Sequence, residues 1–230
     1  MELFDTNTSL IINDNQSQVI YQSEFLGTEE SQELYQYLLD NLDWQCDSAK
    51  IFGKTIITKR KIVWMSDSGL DYNYSGSSRI GNGIWNTQVA KIKNKLEQQT
   101  GFGFNSCLLN LYHDGKEGMG WHSDDQNHLD QNNTAVAIIS LGTERFFKLR
   151  QNQNPACNHR ILLESGSLLT MLGQTQKHWQ HEIPKMAGVG TPRISLTFRT
   201  IQSSDKNLLL DQKNQLLDKK INVVNVVITS

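Results

Sequence analysis

The chain has 230 residues, with 22 Lys and Arg against 24 Asp and Glu for a net charge of −2. That length fits one generous domain, or one with short appendages, and the near-neutral balance excludes a strongly basic nucleic-acid binder while leaving local basic patches open. The three cysteines Cys46, Cys107 and Cys157 are odd in number and lack CxxC spacing, so reduced thiols are expected rather than a disulfide framework. Met1 is followed by Glu2 and Asp5, and no apolar stretch approaches the ~20 residues of a membrane span. These features predict a soluble intracellular protein, cytoplasmic or nuclear, with no membrane partner.

In chain order, the first ten or so residues are polar. Ser9 to Ile20 carries two apolar runs split by Asn13-Asp14-Asn15-Gln16, which predicts a small hairpin. Thr28, then Glu29 and Glu30, reads as a capping hydroxyl followed by first-turn acids. Leu34, Leu38, Leu39 and Leu42 give that helix its apolar face. A second helix is predicted from Trp85, Val89, Ile92 and Leu96, with Gly101 as its stop. From there the pattern is short strands: Ser106–Tyr112, Thr134–Leu141, Arg145–Arg150, His159–Leu163, Ser167–Leu172 and Arg193–Thr200. Together they predict an α+β, mainly β, fold whose core is a double-stranded β-helix (jelly roll) with flanking helices. After Ile201, Leu208–Leu217 reads as a short helix and Ile221–Thr229 as a β-prone, valine-rich run.

Chemistry concentrates between Cys107 and Arg199. His122-Ser-Asp124 is a chelating pair, His181 follows alone, and Arg193-Ile-Ser-Leu-Thr-Phe-Arg199 alternates strictly. Two imidazoles and one carboxylate on one face of a metal leave open positions, as non-haem Fe(II) oxygenases require. On the alternating strand Arg193, Ser195, Thr197 and Arg199 share a face. That face lies either in solvent, the commoner case, or in a polar barrel interior where the arginines meet anions. A lone HxD pair is common by chance, and zinc accepts similar ligands. The ordered set Asn110-x-Tyr112, HxD, His181, Arg193-x-Ser195 is more selective.

With those residues in place, the chain resembles the AlkB family of Fe(II)- and 2-oxoglutarate-dependent dioxygenases, in its nucleic-acid dealkylating branch. The carriers are Asn110-Leu-Tyr112, Asp114-Gly115, Gly120-Trp-His122-Ser-Asp124-Asp125, Ser140-Leu-Gly142, Gly166-Ser-Leu168, His178-Trp-Gln-His181-Glu-Ile-Pro184 and Arg193 to Arg199. Upstream, Phe52-Gly53-Lys54, Arg60 and Asp67 to Gly76 also fit. The resemblance implies Fe(II) held by His122, Asp124 and His181, with His178 the rival for the third place. It implies 2-oxoglutarate and O2 as co-substrates, with Arg193, Ser195 and Tyr112 at the distal carboxylate. Arg199, Thr197 and Asn110 would lie nearer the metal. A planar guanidinium suits a carboxylate better than an ammonium does.

The implied function is oxidative dealkylation of N-alkylated bases such as 1-methyladenine and 3-methylcytosine in DNA, a direct repair by a monomer. The alternatives are the same chemistry on RNA, protein or a small molecule, and a non-catalytic metal- or nucleic-acid-binding module. A base must leave the duplex to be reached. Tyr74 would stack on it opposite His122, with Tyr72 and Asp125 at its edge. Phe52, Gly53 and Lys54 ahead of Arg60 read either as a wedge with basic flanks or as a plain charged hairpin. Lys148 and Arg150 are further candidates for phosphate. Three departures stand out: Ser195 where dealkylating members often carry asparagine, Lys59 in place of a frequent proline, and Gln126 where a glutamate is common. The expected organisation is an N-terminal hairpin and helix on the core (1–50), a nucleotide-recognition region and helix (51–104), the jelly-roll core (105–201) and an appendage of unknown role (202–230).

Overall fold

The computed structural model describes residues 7–51, 54–74, 77–124 and 135–202, with backbone alone at 48–51, 54–56, 71–74 and 77–80. The readings on Phe52, Gly53, Asp125, Gln126 and the tail beyond 202 lie outside the described residues. Those on the side chains of Lys54, Tyr72 and Tyr74 do so too.

The elements in order are β1 (Thr8–Asn13), β2 (Ser17–Gln22), α1 (Thr28–Asn41), β3 (Gln45–Ile51), β4 (Lys54–Ser66), β5 (Asp71–Tyr74) and β6 (Ser77–Ile80). Then come α2 (Thr87–Thr100), β7 (Ser106–Tyr112), β8 (Met119–His122), β9 (Val136–Gly142), β10 (Arg145–Gln151) and β11 (Asn158–Leu163). β12 (Leu168–Gly173), α3 (Thr175–His178), β13 (Trp179–Ile183) and β14 (Arg193–Arg199) complete them. An eight-stranded sheet runs β1-β2-β12-β9-β14-β7-β4-β3, a four-stranded sheet runs β11-β10-β13-β8, and β5-β6 form a separate pair. The pairings are antiparallel. Segments 1–50, 51–104 and 105–201 all contribute strands to the large sheet.

Three layers result. α1 and α2 bury Leu34, Leu38, Val89, Ile92 and Leu96 against Leu109, Leu111, Ile139, Ile194, Leu196 and Phe198 on one face of the large sheet. The other face meets the small sheet, where Val136, Ile138, Leu169 and Met171 pack with Phe147, Leu149, Trp179 and Ile183. Strand alternation sorts the residues: on β7, Leu109 and Leu111 go to the helices while Tyr112 goes between the sheets.

Two helix starts differ from the sequence reading. Gly27, not Thr28, is the N-cap of α1, and no side chain caps it. Trp85 precedes α2, whose cap is Asn86; its side-chain oxygen accepts from the Gln88 and Val89 amides. Trp85 still packs on the core, and its indole N–H donates to Asp67 at 2.9 Å. Gly101 ends α2 in the left-handed region at φ 73°, as its sequence position suggests.

Candidate metal and co-substrate site

β14 is buried along its whole length, with β7 on one side and β9 on the other. The solvent-face reading of its arginines is therefore overturned. Ile194, Leu196 and Phe198 point to the helix layer, and Arg193, Ser195, Thr197 and Arg199 line a cavity between the sheets. Flanking strands set their company by register: Tyr112, Arg193 and Gly142 align at one end, and Asn110, Ser195 and Ser140 at the centre. Arg60, Asn110, Tyr112, Met119, His122, Asp124, Phe147 and His181 share the same cavity.

Candidate ligand atoms of His122, Asp124 and His181 lie within 4.8 Å of one another. β8 ends at His122 and pairs with β13 so that His122 faces His181, with ring centroids 4.2 Å apart. Asp124 lies just past the strand, so extended periodicity does not bring it in. Its amide donates to Gln176 Oε1 at 2.9 Å, and Ser123 Oγ donates to the Trp179 carbonyl at 2.9 Å. His122 Nδ1 sits 2.8 Å from the Gly120 carbonyl, which assigns the proton to Nδ1 and leaves Nε2 as the lone-pair donor. Phe147 stacks on His181 at 5.1 Å. His178 is absent from the cluster and contacts Gln174 Oε1 at 3.1 Å instead.

Charge follows geometry. Burial drives His181 down to about 3, helped by His122 and Arg199, and it lowers His122 as well. Burial alone would raise Asp124, but Arg199, whose Nη2 donates to Oδ1 at 2.6 Å, outweighs it together with His181 and His122, and the carboxyl is held at about 2. The second carboxylate oxygen, Oδ2, is buried with no hydrogen-bond partner among the described residues. The two candidate imidazoles are thus neutral and the carboxylate ionised, the forms that a metal takes.

At the opposite end of the same strand face, Arg193 donates through Nη2 to Ser140 Oγ at 2.8 Å, and its Cζ stands 5.5 Å from the Tyr112 ring centre. Its Nε and Nη1 are buried without partners among the described residues, and burial pulls its pKa down to about 10. Buried guanidinium nitrogens without acceptors are costly unless an anion meets them.

Arg60 does not serve as an open phosphate contact. It is buried on the cavity wall and ion-paired to Asp47. Lys148 and Arg150 are also engaged, with Glu182 at 3.2 Å and with the Trp121 ring at 4.2 Å and Gln180. Sequence reading missed Asp47, Gln176, Phe147 and Arg145. Arg145, 1% exposed, gathers the carbonyls of Asp114, Glu117 and Pro184 at 2.7–3.2 Å. No local motif signals any of the four, because their partners are distant in sequence.

A family model described as the 2OG-Fe(II) oxygenase superfamily matches residues 18–199. The chain is 34% identical over 185 residues to Alpha-ketoglutarate-dependent dioxygenase alkB homolog 3 of Bos taurus, covering 77% of this chain and 64% of that one. It is 31% identical over 190 residues to DNA oxidative demethylase ALKBH2 of Homo sapiens, covering 78% and 72%. The chain belongs to the 2OG-Fe(II) oxygenase superfamily, in its AlkB group. It spans a little under two thirds of the length of the bovine and human alkB homolog 3 relatives, at 64% and 66%. In fold it is similar to the solved structure of OsALKBH1, with TM-score 0.56 and 15% identity over 79% of this chain and 97% of that one. It is also similar to a 2OG-Fe(II) oxygenase family oxidoreductase from Burkholderia pseudomallei, with TM-score 0.52 and 13% identity over 79% and 84%.

The residues present fit the oxygenase's two groups. Two nitrogens and a partnerless carboxylate oxygen suit Fe(II) with open positions. The partnerless nitrogens of Arg193, beside Ser140, Ser195 and Tyr112, suit the far carboxylate of 2-oxoglutarate.

Proposed function

We propose that this oxygenase removes N-alkyl groups oxidatively from alkylated nucleobases in DNA. One observation carries the reading: the candidate metal triad and a buried arginine with two nitrogens unpartnered among the described residues sit at opposite ends of one strand face in one cavity. A non-catalytic metal module needs no anion clamp beside its metal. The demethylase named among the relatives at 31% identity supports the choice of substrate.

When bound, iron and 2-oxoglutarate supply the oxidation of the N-alkyl carbon by O2, with succinate, carbon dioxide and an aldehyde as co-products. His122, Asp124 and His181 would hold the metal, and Arg199 keeps Asp124 ionised and aimed. Arg193, with Tyr112 and Ser195, would hold the far carboxylate and thereby orient the co-substrate. Asn110, whose Oδ1 is buried without a partner among the described residues, and Thr197 lie between the two ends. Phe147, Ile138 and Ile183 on the wall exclude water. Three free cysteines agree with a reducing, cytoplasmic or nuclear, setting.

The test is an assay of single-stranded DNA and RNA oligonucleotides carrying one 1-methyladenine or 3-methylcytosine, with Fe(II) and 2-oxoglutarate. Formaldehyde and succinate in equal amounts, with restored base, support the reading. Succinate production unaffected by every oligonucleotide, with the lesions intact, overturns it and returns the substrate to a protein or small molecule.

A further inference from the structure

β3 and β4 pair from Ile51↔Lys54 to Ser48↔Ile57 and again at Cys46↔Lys61, and the register slips between Cys46 and Ser48. At the slip Asp47 alone on β3 stands opposite Thr58, Lys59 and Arg60, so the extra residues lie on β4. A bulge re-aims a side chain and is frequent beside active sites. Here the Thr58 hydroxyl donates to the Asp47 carbonyl at 3.3 Å, and the Asp47 carboxylate meets Arg60 in an ion pair whose side chains are 7% and 8% exposed. Arg60 faces the cavity, with Nη1 3.9 Å from Met119 Sδ. It is within electrostatic reach of both Tyr112 and His122. A buried ion pair is weak evidence for stability, because an apolar pair often does as well. Its place on the wall calls for another explanation.

The charges in the cavity supply one. Arg199 is matched by Asp124, and Arg193 is left for an anion. Without Asp47, which stands behind Arg60 and outside the lining, a further positive charge would face the cavity beside His122. The bases 1-methyladenine and 3-methylcytosine are cations at neutral pH, whereas 3-methylthymine is neutral. A cation entering beside an unmatched buried guanidinium meets a repulsion that water does not screen.

We propose that Asp47 is a specificity-determining residue that neutralises Arg60, so that the cavity admits cationic alkylated bases. The proposal rests on the dealkylation reading above. Asp47 acts through Arg60 and is a positioning residue rather than a catalytic one. The two partners therefore have opposite signs. Removing the carboxylate disfavours cationic lesions relative to neutral ones, and removing the guanidinium favours them. A merely structural pair would weaken both lesions alike.

The experiment measures binding by fluorescence anisotropy, anaerobically, with Mn(II) in place of iron. Single-stranded oligonucleotides carry one 1-methyladenine, one 3-methylthymine or no lesion. Wild type is compared with Asp47→Asn, Arg60→Gln and the double variant, and the thermal transition of each is recorded. The preference for 1-methyladenine over 3-methylthymine should fall roughly tenfold in Asp47→Asn. It should rise in Arg60→Gln and return near the wild-type ratio in the double variant. A ratio unchanged within about twofold, or moved the same way by both single variants, overturns the role. If Asp47→Asn does not fold, Arg60→Gln and the double variant still decide by the rise and its reversal. A wild type that tells neither lesion from the unmodified strand overturns the dealkylation reading itself. That outcome is distinct from a selective wild type whose variants keep its ratio.

Discussion

Arg193 Nε and Nη1 face the cavity without an acceptor among the described residues, and lysine cannot reproduce their planar fork. Arg193→Lys should raise the KM for 2-oxoglutarate roughly tenfold or more while kcat changes less, as for a contact made in the ground state. Steady-state kinetics check this, and an unchanged KM would move the clamp elsewhere. Protonation gives a second residue-scale prediction. Buried His181 stays neutral down to about 3, against 6.5 for an ordinary histidine. Below about 6.5 the unfolded chain therefore binds a proton that the native chain refuses, and stability falls as the pH drops from about 6.5 towards 3. Asp124, held at about 2 against 3.8, stabilises fully above 3.8 and loses that contribution as the pH falls towards 2. The melting temperature of metal-free protein should fall from pH 7 to pH 4.5, and His181→Leu should flatten that slope.

Among the elements, the turn after β7 shows how a backbone contact supports the site. A Cβ at Gly115 would fall 1.8 Å from the Met186 carbonyl oxygen, and backbone cannot yield as a side chain does. Gly115→Ala should lower stability by about 1–3 kcal/mol in thermal or denaturant unfolding, because the tie between this turn and the loop after β13 must open. Leu196→Ala on fully buried β14 should cost about 2–5 kcal/mol. Much of this level is legible in the sequence. The β1–β2 hairpin, α1 and α2 follow from apolar periodicity, and β7 and β14 from short runs bounded by polar residues. The HxD pair, His181 and the alternating arginines announce the candidate metal and clamp residues that the fold brings into one cavity. What stays hidden is non-local. Asp47 meets Arg60 only across the register slip that β4 makes against β3, Gln176 meets the Asp124 amide from a one-turn helix, and Arg145 gathers carbonyls from two loops. β14 alone does not say whether its polar face meets water or a second sheet, since alternation is the same in both cases.

At the scale of the whole molecule, the cavity exists because the large sheet buries one face under helices and offers the other to the small sheet. The candidate ligands arrive from β8, the residues just beyond it and β13, so a metal bound there would tie the small sheet's strands together, and the arginines would join it to the large one. A ligand that binds only the native state stabilises it by about 4 kcal/mol at a thousand times its Kd. Anaerobic Mn(II) with 2-oxoglutarate should therefore raise the melting temperature of wild type by several degrees and leave His181→Ala unmoved. The most direct test of the site is an anaerobic titration with Fe(II) and 2-oxoglutarate, followed by the weak visible charge-transfer band of their complex. The band should appear only with both present, at one complex per chain, in wild type and in His178→Ala, and be lost in His181→Ala. A band that survives His181→Ala, or none in wild type, would contradict the site.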